Sequence, residues 1–315
     1  MGGNATYSRS IIYKMAEQVK KRSKTSRAGV IFAITFLAFP VLQFVVFYLG
    51  VNVKSWISAF QLETGGTDFE WSFINFELFF IDLKSPRSEM LTIIKNTFIT
   101  FGVYDFISLP LCVFFSYVLF KKLPGCAFFR VVFYLPSLIS IVALTLVFYY
   151  CVDIKGPLGA LVSAFGGNYS SPFEYPSTAF SGVMAYCVWS GFGYSIVLLS
   201  GSISRLPADI FESAKIEGCG PGREFFSIVV PLLAPTVSTL FILNFAAAFT
   251  MWTPVQLLTG GNKDTATIGF YIFRQTQNEN YNYPAAIGLL VSAVVVPVVL
   301  ILRFVSARLF EEVTF

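Results

Sequence analysis

The stretch ESAKIEGCGPGREFFSIVVP, residues 212–231, is polar and rich in glycine, although the chain on both sides of it is strongly apolar. It holds three glutamates, two basic residues, three glycines and two prolines. The whole chain has 315 residues, of which 55% are hydrophobic and 13% are charged, and its mean hydropathy is +0.69. This composition is too apolar for the surface of an ordinary soluble protein, so the sequence predicts an integral membrane protein.

Six apolar windows are long enough to cross a bilayer, which requires about 20 residues of helix. We therefore predict an all-α fold with six transmembrane helices, within a transmembrane domain at residues 29–310. The apolar run at 225–262 is too long for one crossing, and its prolines and glycine limit the fifth span. The predicted spans cover residues 29–51, 96–120, 131–152, 178–202, 232–257 and 281–303.

Basic residues predict the orientation, because cytoplasmic loops carry an excess of lysine and arginine. Fifteen of the 22 basic residues fall on one side if both termini are cytoplasmic, so we expect an N-in, C-in topology. Residues 1–28 then form a basic cytoplasmic segment with apolar residues on one helical face. This segment suits an interfacial helix on anionic lipid, or a docking contact for a cytoplasmic partner.

The same orientation places residues 203–230 in the cytoplasm, in a loop that contains the polar stretch. Pro207 suits the start of a short helix, Asp209 and Glu212 suit its positively charged end, and Gly218 suits its stop. A simple connection between two spans needs only a few residues. We therefore expect a protruding helix that another protein can approach.

The loop resembles the Glu-Ala-Ala loop of binding-protein-dependent ABC importer permeases, where E-A-A, three residues, G, nine residues and I-x-L-P follow one another. The matching residues are Glu212-Ser213-Ala214, Gly218 and Ile228-Val229-Val230-Pro231, all at the family's spacing. The resemblance is also carried by Leu206, Pro207 and Phe225, by FFRVVFYLPSLIS at 128–140, by Asn96-Thr97 and by LLTGG at 257–261. The sequence departs from the family pattern at Ser213, Glu217, Cys219, Val230 and Asn262.

The resemblance implies a type I ABC importer permease fold, multi-pass in the bacterial cytoplasmic (inner) membrane, for import of a carbohydrate such as an oligosaccharide. It implies that the loop helix is a coupling helix that docks in a groove of an ATPase. The expected coupling residues are Pro207, Asp209, Glu212, Ser213, Ala214, Glu217 and Gly218. The implied partners are a second homologous permease subunit, two cytoplasmic ATPase subunits, an extracellular solute-binding protein, the sugar and membrane lipid, without nucleic acid.

Enzymatic chemistry of its own is not expected of this chain. The sequence has no GxxxxGK[ST] motif, so we expect ATP and magnesium to bind partner subunits and not this one. It has no histidine and no CxxC pair, so no catalytic or metal site is predicted. Importers of another solute, such as glycerol phosphate, remain an alternative. Asp105 inside the second span leaves an ion-coupled secondary transporter as a further one.

The fifth span carries the residues that suit a carbohydrate path. Sugars stack their C–H faces on aromatic rings and form hydrogen bonds with amides, and an amide is costly in lipid. We expect one broad face of this helix to line a cavity, although ordinary helix packing is an equal alternative for each residue alone. The candidates are Asn244, Phe245, Phe249, Trp252 and Gln256.

Labelling of single cysteines tests the topology. In a chain without its five native cysteines, we expect an impermeant maleimide added outside to label cysteines placed at 60–85 and 160–172. Cysteines at 208–222 should react only after the membrane is opened, because the charge bias places that loop inside. External labelling of residues 212–222 in intact cells would contradict the N-in, C-in topology.

Overall fold

A computed structural model describes residues 27–63, 69–121 and 125–309 of the chain. The predicted basic segment at 1–28 lies outside the described residues, apart from the helical backbone at residues 27 and 28. The chain divides into two units between Ile57 and Ser58. Within the described residues the first unit consists of helical chain up to Ile57, and every site discussed below lies in the second unit.

The described ranges are mainly helical. The helices before the first long loop are α1 (Gly29–Ala59), α2 (Ile74–Lys84) and α3 (Met90–Phe120), with a small antiparallel sheet of β1 (Gln61–Glu63) and β2 (Phe69–Trp71) between α1 and α2. The middle helices are α4 (Cys126–Leu138), α5 (Ile141–Cys151), α6 (Pro157–Ala164), α7 (Pro176–Ile203) and α8 (Ala208–Ile216). The last are α9 (Pro221–Thr250), α10 (Thr253–Leu258), α11 (Ile268–Gln277) and α12 (Asn282–Leu309).

Five described helices, α1, α3, α7, α9 and α12, are long and apolar enough to cross a membrane. The fifth predicted span differs most from its helix, because α9 begins at Pro221 and ends at Thr250, whereas 232–257 was predicted. Pro231 and Pro235 lie inside α9 and do not start it. A π turn at Phe225–Val229 ends two residues before Pro231, and this local change of register accommodates a residue that cannot donate a backbone hydrogen bond.

The third predicted span, 131–152, is not one straight helix. It corresponds to α4 and α5, which meet at an angle of 116° after a two-residue break. Pro136 lies near the end of α4, and Ile139 and Ser140 are extended. Pro136 weakens the last turn of α4, because proline has no backbone N–H to donate and its ring crowds the preceding turn. The count of six spans therefore holds within the described residues only if α4 and α5 together form one of them.

Helix α7 lies at the centre of the second unit, with buried residues from Ala179 to Ile203. It packs against α3 and α4. Gly193 allows the close approach to α4, because a Cβ atom at this position would lie 2.6 Å from the Ser137 side chain. Small residues at such crossings are typical of membrane helices, where van der Waals packing replaces much of the hydrophobic driving force.

The two buried clusters of the second unit occupy opposite ends of the bundle. One surrounds Phe270 and includes residues of α3, α7, α9 and the chain that follows α9. The other surrounds Leu199, close to the loop between α7 and α9, and includes residues of α3, α7 and α9. The same three helices therefore connect the two ends.

The end of α3 at Asn96 and Thr97 holds the loop that follows α10. Asn96 Nδ2 donates to the carbonyl oxygens of Asp264 (2.6 Å) and Ala266 (2.9 Å). Thr97 Oγ1 accepts a hydrogen bond of 3.0 Å from the backbone nitrogen of Ile268, at the start of α11. Both side chains are buried, so these bonds satisfy backbone groups that water cannot reach. The Asn-Thr segment noted in the sequence thus binds the loop that follows the LLTGG segment.

Candidate coupling and transport sites

The predicted coupling helix is α8, Ala208–Ile216, with Pro207 as the residue before its first turn. Asp209 lies in the first turn and Lys215 in the last, so each charge is near the helix end that stabilises it. Its C-terminus is closed by hydrogen bonds from Gly218 N to Lys215 O (3.1 Å) and from Cys219 N to Ala214 O (2.9 Å). The start and stop signals in the sequence therefore correspond to the ends of this helix.

One face of α8 packs against the protein and the other is open. On the inner face Ala214 is buried, and the Phe211 ring lies 5.1 Å from the Phe120 ring at the end of α3. The open face carries the exposed residues Asp209, Glu212, Ser213, Ile216 and Glu217. Of the predicted coupling residues, Ala214 thus supports the helix, whereas Glu212 is available to a partner. Ile216 is 87% exposed on the same face, and it was not among the predicted coupling residues.

Gly218 has a φ of +74°, in the left-handed region that other L-residues rarely adopt. A Cβ atom built on it meets no heavy atom within 4 Å. A side chain at this position would therefore strain the backbone without a steric clash. The requirement for glycine comes from the reversal of the chain between α8 and α9.

The aromatic candidates of α9 lie inside the subunit. Phe245 and Phe249 are 7% and 9% exposed, and their rings are 5.2 Å apart. Phe101 of α3 approaches Phe245 edge-on at 5.1 Å, and Phe98 approaches Phe249 at 5.8 Å. Such edge-to-face contacts are typical of aromatic packing. In this arrangement α3 covers the face that the two rings present, and their assignment to a substrate path stays a prediction.

Trp252 and Gln256 do not share a helix with Asn244. Helix α9 ends at Thr250, the backbone of Met251 is extended, and α10 begins at Thr253 with Pro254 in its first turn. Proline favours the first turn of a new helix over the interior of the preceding one. Trp252 is 38% exposed and stacks on Phe273 of α11 at 4.1 Å, and Gln256 is exposed on α10. The single broad face predicted for the fifth span is therefore divided between two helices.

Asn244 faces α3 and pairs with the carboxylate inside that helix. Asn244 Nδ2 donates to Asp105 Oδ1 at 3.1 Å, and Asp105 is 4% exposed. Asp105 lies in a π turn, Tyr104–Ser108, within α3. Its Oδ2 atom is buried and has no hydrogen-bond partner among the described residues. The expectation that Asn244 faces the protein interior is confirmed, and the structure identifies Asp105 as its partner.

Sequence reasoning missed a second polar contact between α3 and α9. Lys121, which follows α3, lies 2.5 Å from Glu224 in the first turn of α9, and Glu224 is 5% exposed. These two residues are 103 positions apart. No local periodicity or spacing indicates a pairing over such a distance, although a glutamate at the start of an apolar run is itself unusual.

Comparison with protein families places residues 108–311 in the family described as "Binding-protein-dependent transport system inner membrane component". The chain belongs to this family. The match includes α7, the loop at 203–230, α9 and α12, and therefore every predicted coupling and path residue, whereas Asp105 lies just before it. The chain is thus a membrane-spanning permease subunit of a binding-protein-dependent transport system.

Two proteins similar in sequence to this chain belong to sugar transport systems. The multiple sugar-binding transport system permease protein MsmF of Streptococcus mutans is 26% identical over 286 residues, which cover 88% of this chain and 95% of that protein. The maltose/maltodextrin transport system permease protein MalF of Salmonella typhimurium is 32% identical over 148 residues, which cover 47% of this chain and 29% of that protein. The longer alignment covers most of this chain, whereas the shorter one covers less than half of it.

Solved structures share the fold. A bacterial ABC transporter that imports the acidic polysaccharide alginate contains a chain with a TM-score of 0.78 and 18% identity, over 93% of this chain and 100% of that one. A second structure, of a bacterial alginate ABC transporter in complex with its pentasaccharide-bound periplasmic protein, gives a TM-score of 0.77 and 19% identity. The predicted ABC importer permease fold is therefore confirmed.

The Asp105–Asn244 pair is expected to matter most when only one partner is removed. Asn244→Leu should lower the free energy of unfolding by about 1–3 kcal/mol, because the buried carboxyl group then lacks its donor. The double variant Asp105→Leu/Asn244→Leu should recover most of this loss, since both polar groups disappear together. Thermal unfolding of the purified subunit in detergent measures both. Thr239→Val, an exposed position of α9, is the control, and equal destabilisation by single and double variants would contradict the pairing.

Proposed function

We propose that this chain is the permease subunit of an ATP-driven importer that carries a carbohydrate, such as an oligosaccharide, across the bacterial cytoplasmic membrane. The observation that supports this substrate class is the nearly full-length alignment with a multiple sugar-binding permease. A maltose/maltodextrin permease and an alginate transporter among the similar proteins point to the same class. Transport would proceed by alternating access, with the path opened to one side of the membrane at a time.

Two cytoplasmic ATPase subunits would supply the energy and bind ATP and magnesium, since this sequence contains no P-loop motif. The open face of α8 is suited to their docking. It presents three carboxylates, Asp209, Glu212 and Glu217, beside the exposed side chain of Ile216. A groove with an apolar floor and basic edges would complement this face.

A second permease subunit would complete the path. The aromatic side of α9 packs against α3, whereas Leu243 on its other side is 49% exposed and Ala247 and Thr250 are exposed as well. A related subunit opposite this side would shield a hydrated carbohydrate from lipid. An extracellular solute-binding protein would deliver the sugar to the end near Trp252, whose ring suits stacking on a sugar C–H face.

Uptake into proteoliposomes tests this proposal. The permease, its partner permease and the ATPases are co-purified and reconstituted with the cognate binding protein, and radiolabelled oligosaccharides are offered with ATP or with ADP. We expect uptake of a carbohydrate that requires both ATP and the binding protein. Uptake driven by a proton or sodium gradient without ATP would contradict the proposal in favour of a secondary transporter. ATP-dependent uptake of glycerol phosphate alone would contradict the substrate class.

The coupling face can be tested by charge reversal. Glu212→Lys should lower uptake at least about tenfold with the chain still in the membrane, because like charges brought together at an interface cost several kcal/mol. Glu77→Lys reverses an exposed charge on α2 and serves as the control. Normal uptake and normal ATPase stimulation in Glu212→Lys would count against docking through this face.

Two glycines of the same loop separate backbone strain from side-chain contact. A Cβ atom built on Gly218 or on Gly220 meets nothing within 4 Å, but only Gly218 has a positive φ. Gly218→Ala should therefore strain the turn by about 1–2 kcal/mol and reduce coupled uptake. Gly220→Ala should leave uptake unchanged. Equal uptake by the two variants would show that the geometry of this turn is not required for coupling.

A further inference from the structure

The cytoplasmic-loop end of α3 is joined to the start of α9 by a buried ion pair. Lys121 Nζ lies 2.5 Å from Glu224 Oε1 and 2.7 Å from Oε2. The Glu224 side chain is 6% exposed and that of Lys121 is 31% exposed. Glu224 therefore lies in the protein interior and depends on Lys121 for its neutralising charge.

Tyr117, one turn before Lys121, strengthens the same contact. Its hydroxyl lies 3.1 Å from the carbonyl oxygen of Pro221 and 3.2 Å from Glu224 Oε1. A hydroxyl has one proton, so these two acceptors share it. Both belong to the first turn of α9, which is thus held by the end of α3 through a backbone contact and a side-chain contact.

Lys121 also reaches the coupling helix. Its ammonium group lies 5.6 Å from the ring centroids of Tyr117 and Phe211, a distance at which a cation is attracted to an aromatic face. Phe211 is the residue before Glu212 and packs against Phe120. One lysine therefore touches α3, the coupling helix α8 and the start of α9.

The character of the contact indicates a role in positioning. A buried ion pair adds little net stability compared with well-packed apolar residues, because both charges must lose their water. The ion pair instead fixes the mutual orientation of α3 and α9, since the charged groups and the tyrosine hydroxyl interact well only over a narrow range of distances and angles. Apolar contacts between membrane helices tolerate small shifts and rotations more readily, because their energy depends less on angle.

We propose that Lys121 and Glu224 are positioning residues for energy coupling. Their ion pair fixes the end of α3 at Lys121 to the start of α9. Phe211 of the proposed coupling helix packs against Lys121 at this contact. A displacement of α8 by an ATPase subunit is then passed to α3 and α9 together. This inference rests on the proposed function, because it assigns a task to residues behind the proposed docking face.

The test uses the complete reconstituted complex and measures carbohydrate transported per ATP hydrolysed. Lys121→Met and Glu224→Gln should each lower this ratio at least about fivefold, the lower range of coupling between distant sites. Lys121→Arg and the charge-swapped double variant Lys121→Glu/Glu224→Lys should restore most of it. The apolar double variant Lys121→Met/Glu224→Leu should give a stable complex that stays uncoupled.

Structural and positioning roles give different results in this series. If the single variants lower only the amount or thermal stability of the complex and keep the ratio, or if the apolar pair restores the ratio, the inference is wrong. Arg274→Met is the matched control, because Arg274 and Glu89 form an exposed ion pair at 3.7 Å away from the coupling loop. If the unmodified complex transports no carbohydrate, the proposed function fails. Stimulation of its ATPase by the binding protein then tests the ion pair alone.

Discussion

Polar side chains buried among membrane helices must find their partners within the protein, because hydrocarbon offers none. In this chain such contacts occur at three levels along α3, two of them with α9 and one with the loop between α10 and α11. Asn96 holds the loop before α11, Asp105 pairs with Asn244 in the middle, and Lys121 pairs with Glu224 near α8. From Asn96 to Lys121 the helix extends over about 37 Å, so these contacts fix α3 along most of its length.

Apolar packing alone would not set this register. The cores around Phe270 and Leu199 consist largely of side chains that tolerate small shifts of one helix along another. Hydrogen bonds and ion pairs tolerate much smaller ones, since their energies fall steeply with distance and angle. The two contacts that join α3 to α9, at Asp105 and at Lys121, therefore favour movement of these helices as one body. Helix α8 contacts one end of this body through Phe211, and the loop between α10 and α11 is hydrogen-bonded to the other end.

The aromatic residues show how a sequence suited to a sugar path can serve packing. Phe245 and Phe249 have the spacing of a helix face and the chemistry that sugars favour, yet Phe98 and Phe101 of α3 cover them. Their partners lie about 150 positions earlier in the chain, so neither spacing nor composition of α9 distinguishes the two roles. Trp252 differs because the chain turns away from the membrane helix just before it and leaves its ring partly open.

The sequence by itself determined the membrane class, the approximate positions of the apolar spans, the family and the position of the short helix α8, because these depend on local composition and on signals within a few residues. Pro207 and Gly218 mark the ends of α8 through their own backbone preferences, without any distant contact. Only the tertiary structure decided the 116° angle between α4 and α5, the end of α9 at Thr250 and the partners of Asp105 and Glu224. Each of these depends on which helices lie side by side, and helical periodicity reports a buried face without naming the neighbour that buries it.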